Sequence, residues 1–238
     1  MRNLLDRLKN KTETVKNVLY ENPHSYGELL IDEKKCTLCG KCQKSCLVKA
    51  IEIKNAKIVV NQDHCIYCRN CISTCPENAL TMLNDCKLAH FNDLETSALE
   101  LKKKIYQKFN RSLVLRSVDT GSCEACLLEL AATQNTFYAA SRFGIKVAAS
   151  PRHSDGLVIT GPVTLNMKDA LLKTYDATAE PKMVIAMGSC AYDGGIFKDC
   201  YGNFESLNKI LPVDLYIPGC PPSPQAVIHG LLKLMNRI

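Results

Sequence analysis

A run of four cysteines occurs twice near the start of this chain at an offset of 29 residues: Cys36-x2-Cys39-x2-Cys42-x3-Cys46, then Cys65-x2-Cys68-x2-Cys71-x3-Cys75-Pro76. The surroundings repeat with it. Ile31 aligns with Val60, Cys36-Thr37-Leu38-Cys39 with Cys65-Ile66-Tyr67-Cys68, and Ala50-Ile51 with Ala79-Leu80. Between the halves, Ile51-Glu52-Ile53 and Lys57-Ile58-Val59-Val60 read as short strands around an Asn-Ala turn. So few apolar residues cannot build much of a core, and a domain this small needs bound metal to hold it together.

The spacing says what kind of metal. Three cysteines at intervals of three wrap one face of a cubane cluster, and the chain cannot return to the same cube within three more residues. The fourth ligand therefore comes from the other half. Cys36, Cys39, Cys42 and Cys75 are expected to hold one [4Fe–4S] cluster, and Cys65, Cys68, Cys71 and Cys46 the other. Structural zinc sites usually use separated cysteine pairs, which this run does not offer. The pattern resembles that of bacterial two-cluster ferredoxins, with Leu47 in place of the proline that usually follows the first run and Pro76 in its place in the second.

A second constellation lies downstream. Leu113-Val114-Leu115-Arg116-Ser117-Val118 reads as a buried strand, followed by Asp119-Thr120-Gly121-Ser122-Cys123-Glu124-Ala125-Cys126 and the start of a helix. Further apolar strands are expected near 145–149, 157–161, 182–187 and 214–217, with helices at about 124–134, 165–176 and 224–236. Ser223 caps the last helix, with Pro224 at its first position. Continuous apolar runs such as Met183-Val184-Ile185-Ala186 suit strands buried on both faces of a parallel sheet, so the fold expected is an α/β, flavodoxin-like doubly wound domain behind an α+β ferredoxin-like one. Cys190 and Cys220 each follow one of these strands. The carboxyl ends of parallel strands share one edge, where ligands bind, and Cys123, Cys126, Cys190 and Cys220 could converge there. Gly121, Gly188 and Gly219 allow tight turns and close backbone approach.

Of the 14 cysteines, 12 fall into these three sets. The charged start Met1-Arg2-Asn3-Leu4-Leu5-Asp6-Arg7 lacks the apolar core of a signal peptide, and no stretch approaches the roughly 18 apolar residues of a membrane helix. A reducing, cytoplasmic setting is expected, with metal binding rather than disulfides. The net charge of +6 is no nucleic-acid signal: three clusters, each roughly −2 with its four thiolates, bring the chain close to neutral.

The sequence suggests an N-terminal helical arm over 1–30, the ferredoxin domain over 31–87, a linker over 88–111 and the sheet domain over 112–238. Leu4, Leu8, Val15, Val18 and Leu19 have helical spacing over residues 1–20, ended by Asn22-Pro23. Two roles fit equally: a helix packed on the domain behind it, and a docking arm for another subunit. A helix over 92–109 carries the stripe Leu94, Ala98, Leu101, Ile105 and Phe109, with Lys102-Lys103-Lys104 partly on its wet face.

Residues 119–126, Ser150-Pro151-Arg152-His153, Thr160-Gly161-Pro162-Val163-Thr164, Gly188-Ser189-Cys190 with Gly194-Gly195-Ile196-Phe197, and Tyr216–Pro224 resemble the small subunit of membrane-bound, energy-converting [NiFe] hydrogenases of the formate hydrogenlyase type. The same domain is the cluster-bearing 20 kDa subunit of respiratory complex I. The resemblance implies a [4Fe–4S] cluster next to the active site of a separate large subunit, which carries nickel and iron in hydrogenases and lines a quinone pocket in complex I. It also implies further electron-transfer and membrane subunits, and a place at the inner face of the cell membrane reached through those partners. The Cys123-x2-Cys126 pair follows the hydrogenase pattern, since complex I homologues have adjacent cysteines there. Ala125 stands where hydrogenases usually have glycine. The expected role is electron relay between a low-potential donor or acceptor and a [NiFe] site, with a complex I-like or nickel-free oxidoreductase subunit, and a scaffold stabilised by its clusters, as alternatives. The chain itself shows no catalytic residues.

Cys86 and Cys200 are left over and read as inert thiols. Glu124 and Glu129 could pass protons to a partner or simply be solvated or helix-capping. Arg152 and His153 could face the large subunit or bond their own loop. His24, His64, His90 and His229 have no partner that the sequence names.

Overall fold

The computed structural model describes residues 14–20, 25–91, 112–204 and 206–238. The N-terminal part is made of β1 (Leu29–Ile31), α1 (Lys41–Ser45), β2 (Ile51–Lys54), β3 (Lys57–Val60), α2 (Asn70–Thr74) and β4 (Leu80–Met82). β1 pairs antiparallel with β4, and β2 with β3. The β2–β3 turn has Asn55 and Ala56 at φ 50° and 56°, the pair of positive values that a two-residue hairpin of right-handed twist requires. The sequence repeat is a structural repeat. Leu38 and Tyr67 share the left-handed conformation at φ 55° and 54°, as do Lys49 and Asn78 at 54° and 48°. The buried hydrophobic cluster of this part is five residues, Leu29, Cys42, Ile51, Cys71 and Leu80, and two of them are expected ligands.

The C-terminal part contains β5 (His90–Phe91), β6 (Leu113–Asp119), α3 (Ala125–Ala132), β7 (Ile145–Val147), β8 (Gly156–Thr160), α4 (Leu165–Ala177), β9 (Met183–Met187), α5 (Ser189–Asp193), β10 (Leu215–Ile217) and α6 (Pro224–Leu234). Its sheet has the order β5-β10-β9-β8-β6-β7. β6 to β10 are all parallel, and β5 adds an antiparallel edge beside β10. Counting the parallel strands alone in chain order gives 2-1-3-4-5, the flavodoxin-like order, with the reversal between β6 and β8. Every residue of β8 and β9 is buried, as expected for strands covered on both faces. α3 and α6 close one face over Leu113, Ile185 and Ile217, and α4 closes the other over Leu157 and Ile159. At the amino ends of the strands, two aspartates latch neighbours together. Asp155 Oδ2 accepts from Val114 N at 2.8 Å, and Asp214 Oδ2 accepts from Val184 N at 2.8 Å.

The five strands and three longer helices fall where the sequence places them, and α6 is capped by Ser223 through Ala226 N. The short helix α5 and strand β5 are additions that the sequence does not announce. The helix expected over 1–20 does not extend through its described end: residues 14–20 form bends and turns. Their backbone is engaged elsewhere: Val15 N donates to the distant Phe137 O at 3.0 Å, and Leu19 N donates to the side chain of Asn17 at 3.1 Å, a local bond that competes with a helix. Val18 is buried in the core of the sheet domain, and Gln225 Nε2 donates to its carbonyl at 2.7 Å. The helix expected over 92–109 and His24 lie outside the described residues. Among the described residues, no helix is long and apolar enough to cross a membrane.

Candidate metal centres

Two small cavities mark the N-terminal repeat. One is lined by Cys36, Cys39, Cys42 and Cys75, together with Gly40, Ile58, Ala79 and Leu80. The other is lined by Cys46, Cys65, Cys68 and Cys71, with Leu29, Ile51, Ile66 and Met82. They are of similar size, each with a cavity volume of about 20 Å³. Each cavity takes three thiols from one half and the fourth from the other. The crossing has a local cause. α1 and α2 are single turns that end at Cys46 and Cys75, both extended, with φ/ψ of −79°/109° and −77°/114°. The chain thus leaves its own cavity at the fourth cysteine and points that thiol toward the opposite one.

Backbone amides face the sulfurs. Ala50 N donates to Cys46 Sγ at 3.2 Å, Ala79 N to Cys75 Sγ at 3.4 Å and Tyr67 N to Cys65 Sγ at 3.4 Å. Such donors favour the thiolate form, whereas burial opposes it. Burial pushes Cys65 up to about 11, with the neighbouring Cys46 and Cys68 adding to the rise against the Tyr67 amide. Cys71 is likewise pushed up to about 11 by burial and by Cys65 and Cys68. Cys65 and Cys71, raised by burial and by the neighbouring thiols, need positive charge to ionise, and iron ions would supply it.

The third set is assembled over a longer distance. The loop after β6 is bound across the end of β8: Thr120 N donates to Thr160 O at 3.0 Å, Thr120 Oγ1 to Thr160 O at 2.8 Å, and Thr164 N to Thr120 O at 3.0 Å. This carries Cys123, and Cys126 in the first turn of α3, from β6 toward β9. The loop after β9 is bound to that after β10 in turn, with Gly188 N donating to Ile217 O at 2.9 Å and Ser189 N to Gly219 O at 2.8 Å. Cys190 lies in the first turn of α5, and Cys220 follows β10 after Pro218 and Gly219. Gly188 has φ 93°, and a Cβ there would lie 2.6 Å from Cys126 Sγ; the absence of a side chain is what admits the sulfur of Cys126.

The four thiols sense one another. Cys190 and Cys220 hydrogen-bond through their sulfurs, which lowers Cys220 to about 7 against the opposing effect of burial. The same bond, then burial and the other three cysteines, raises Cys190 far above the usual thiol range. Cys126 is pushed up to about 12 by burial, then by Cys220, Cys123 and Glu129. All four fit as ligands of one polynuclear centre. Among the described residues, no three His, Cys, Asp or Glu side chains close on a single point as the ligands of one ion would.

The remaining candidates separate. Cys86 is buried and its thiol raised by burial, and Cys200 is exposed; neither joins a set. Glu124 is exposed at the N-cap of α3, its amide bonded to Ser122 Oγ at 2.9 Å. Glu129 is partly buried, its carboxyl raised by that burial. Arg152 and His153 are exposed in a single turn, Pro151–His153. His64 and His90, for which the sequence names no partner, do have partners. His64 Nδ1 is 3.1 Å from Asp193 Oδ2, and His90 Nε2 is 3.2 Å from Asp63 Oδ1. Both pairs join the cysteine repeat to the sheet, as does Ser189 Oγ, which donates to Cys65 O at 3.1 Å. No local spacing announces such contacts.

A 4Fe-4S dicluster domain family matches residues 28–76, and the family of the 20 kDa subunit of NADH ubiquinone oxidoreductase matches residues 123–234. Among curated relatives, formate hydrogenlyase subunit 7 of Escherichia coli is 42% identical over 60% of this chain and 56% of its own length, so the chain spans little more than half of that relative. The probable membrane-bound hydrogenase subunit mbhJ of Pyrococcus furiosus is 40% identical over 58% of this chain and 84% of the relative. A subunit of the NADH-quinone oxidoreductase of Clostridium beijerinckii is 40% identical over 57% of this chain and 89% of the relative. By the matched residues and by how much of the last two relatives it covers, the chain belongs to the family of the 20 kDa subunit of NADH ubiquinone oxidoreductase, with a 4Fe-4S dicluster segment ahead of the family domain.

Proposed function

We propose that this chain is the iron–sulfur electron-transfer subunit of a multi-subunit oxidoreductase of the group 4 [NiFe] hydrogenase type. It would hold three [4Fe–4S] clusters: one on Cys36, Cys39, Cys42 and Cys75, one on Cys46, Cys65, Cys68 and Cys71, and one on Cys123, Cys126, Cys190 and Cys220. The observation that carries this reading is the crossed lining of the two N-terminal cavities, together with a third set of thiols at the carboxyl edge of the sheet. A ferredoxin-like domain over 31–87 and a cluster domain over 112–238 go with this reading, joined by a linker over 88–111 and preceded by an arm over 1–30, although β1 already begins at Leu29 and β5 at His90 joins the sheet. The clusters supply one-electron storage at low potential. The residues fix their positions, shield them from water and direct amides at their sulfurs, which sets the potential.

The partner is a large subunit with the catalytic metals, since no set of thiols remains here for a nickel site. Cys123 is exposed at the sheet edge, where that subunit would cover it. With the other subunits, the complex would sit on the inner face of the membrane. The second reading, a complex I-like or nickel-free oxidoreductase, is supported by the similarity to a quinone oxidoreductase subunit.

Anaerobic isolation of the native complex, with metal analysis and a hydrogen assay using a low-potential dye, tests the proposal. About twelve irons per chain are expected, with nickel and hydrogen turnover in the complex. Cys126→Ser should cut electron exchange with the partner while the N-terminal clusters stay reducible. Stoichiometric zinc with little iron would end the proposal, and a nickel-free complex that reduces quinone would favour the second reading.

A further inference from the structure

The two N-terminal sets are nearly equivalent by sequence, but they sit differently against the sheet. We infer that the set held by Cys46, Cys65, Cys68 and Cys71 is the middle station, the one that exchanges electrons with the C-terminal set, and that the set held by Cys36, Cys39, Cys42 and Cys75 is the outer one. The inference rests on the cluster assignment proposed above and adds an order and a route.

Two bridges lead from the middle set to the C-terminal one. In the first, Ser189 Oγ is 3.1 Å from Cys65 O and 3.2 Å from Gly219 O. Ser189 N already donates to Gly219 O at 2.8 Å, so the hydroxyl proton is free to go to Cys65 O. Ser189 is fully buried, and Cys190 is its neighbour in sequence. One hydrogen bond therefore joins the backbone of a ligand of one set to the residue preceding a ligand of the other. In the second bridge, Tyr67, which lies between Cys65 and Cys68, stacks on Tyr26 with ring centroids 5.6 Å apart. Tyr26 Oη donates to Pro221 O, next to Cys220.

Other contacts agree. His64–Asp193 and His90–Asp63 clamp the segment just before Cys65 to the sheet domain. The groove between the two parts is walled by Leu47, Val48 and Lys49, which follow Cys46, facing Gly195 and Ile196. Both segments that serve the middle set, at Cys46 and at Cys65, thus face the sheet domain. Among the described residues, Cys36, Cys39, Cys42 and Cys75 take part in none of these contacts. With clusters bound, one electron would pass from the centre held by the middle set to the centre held by the C-terminal set, and no bond or proton would change.

Magnetic coupling reads the order without any turnover. In the reduced native complex, the paramagnetic signal of the C-terminal set is expected to be split by its nearest reduced neighbour. Cys68→Ser should abolish that splitting, and Cys39→Ser should leave it. Splitting lost in Cys39→Ser and kept in Cys68→Ser would overturn the order. Should Cys68→Ser fail to assemble, Cys39→Ser decides alone: splitting retained supports the order and splitting lost refutes it. A wild-type complex without any iron–sulfur signal would instead defeat the cluster assignment itself. Ser189→Ala tests the route. Rapid reduction followed by freezing should show the C-terminal signal rising severalfold more slowly, with the midpoint potentials of the sets unchanged. An unaltered rate would remove Ser189 from the route.

Discussion

The N-terminal and C-terminal thiol sets differ in where their geometry is stored. In the repeat, three of the four ligands of each set lie within seven consecutive residues, 36–42 and 65–71, and the polypeptide around them has little else to hold it. Five residues form its buried core, against twenty on one face of the sheet and twelve on the other. In the sheet domain the ligands are spread from residue 123 to residue 220, and they meet because a packed sheet brings three strand ends together. On the proposed assignment, one region would be folded by its metal, whereas the other would be a fold that has acquired a metal. The same ligand chemistry can therefore be either a structural cause or a structural consequence.

The largest effect expected from this contrast follows iron removal. Anaerobic chelation should unfold the repeat, because so small a core does not offset its chain entropy without metal, while the sheet domain stays folded. Limited proteolysis and hydrogen exchange of the apo protein should show residues 29–82 unprotected and β6, β8 and β9 protected. Cooperative loss of both regions would break the distinction.

Next comes Gly188→Ala. A methyl group at that position would lie 2.6 Å from Cys126 Sγ, in a backbone conformation at φ 93° that side chains rarely adopt. The C-terminal centre should be lost and the other two retained, which lowers the iron content by about a third. No substitution in the repeat should have that selective effect. An iron content equal to that of the wild-type protein would mean that the sulfur of Cys126 does not need the space.

The crossed ligation sharpens the comparison from the other side. Cys46→Ser should damage the centre held by Cys65, Cys68 and Cys71, and Cys75→Ser the centre held by Cys36, Cys39 and Cys42. The structure explains why each lesion falls on the opposite half: both residues sit in extended backbone just beyond a single helical turn. Paramagnetic spectra that place each lesion in its own half would contradict the lining of the two cavities.

What could be read from the sequence divides along the same line. In the repeat, spacing alone groups the cysteines as the lining of the two cavities does, because the cavity and the motif have the same length scale. The parallel strands were legible from their apolar runs, and α6 from Ser223 and Pro224. For the C-terminal set, the sequence offered cysteines behind strands but not the reason they meet, which lies in hydrogen bonds between loops, such as Thr120 to Thr160 and Ser189 to Gly219. α5 is hidden because five residues are too short for a helical period to show, and β5 because two residues carry no alternation. The partners of His64 and His90 come from the other part of the molecule, and nothing near either histidine in the sequence points to them.

The smallest effect concerns a latch that belongs to the sheet alone. Asp214 accepts from Val184 N across the start of β9 and β10. Burial raises its carboxyl from the ordinary aspartate range to about 6, with the hydrogen bond to Val184 opposing the rise only in part. The sign follows from proton counting. Between the ordinary value near 4 and the folded value near 6, the folded chain keeps a proton that the unfolded chain has released, so stability falls as pH rises through that window. Above it the loss is complete, and a shift of about two units corresponds to about 3 kcal/mol at most. Asp214→Asn keeps an oxygen for Val184 N and removes the charge. Anaerobic thermal melts should show the variant gaining most over the wild-type protein at about pH 7 and above, with the gain shrinking toward about pH 5. The clusters should retain their spectra, since Asp214 lies at the opposite edge of the sheet from all four C-terminal thiols. A gain that does not depend on pH would mean that the carboxylate is not desolvated there, and a change in the cluster signals would mean that the two edges of the sheet are not independent.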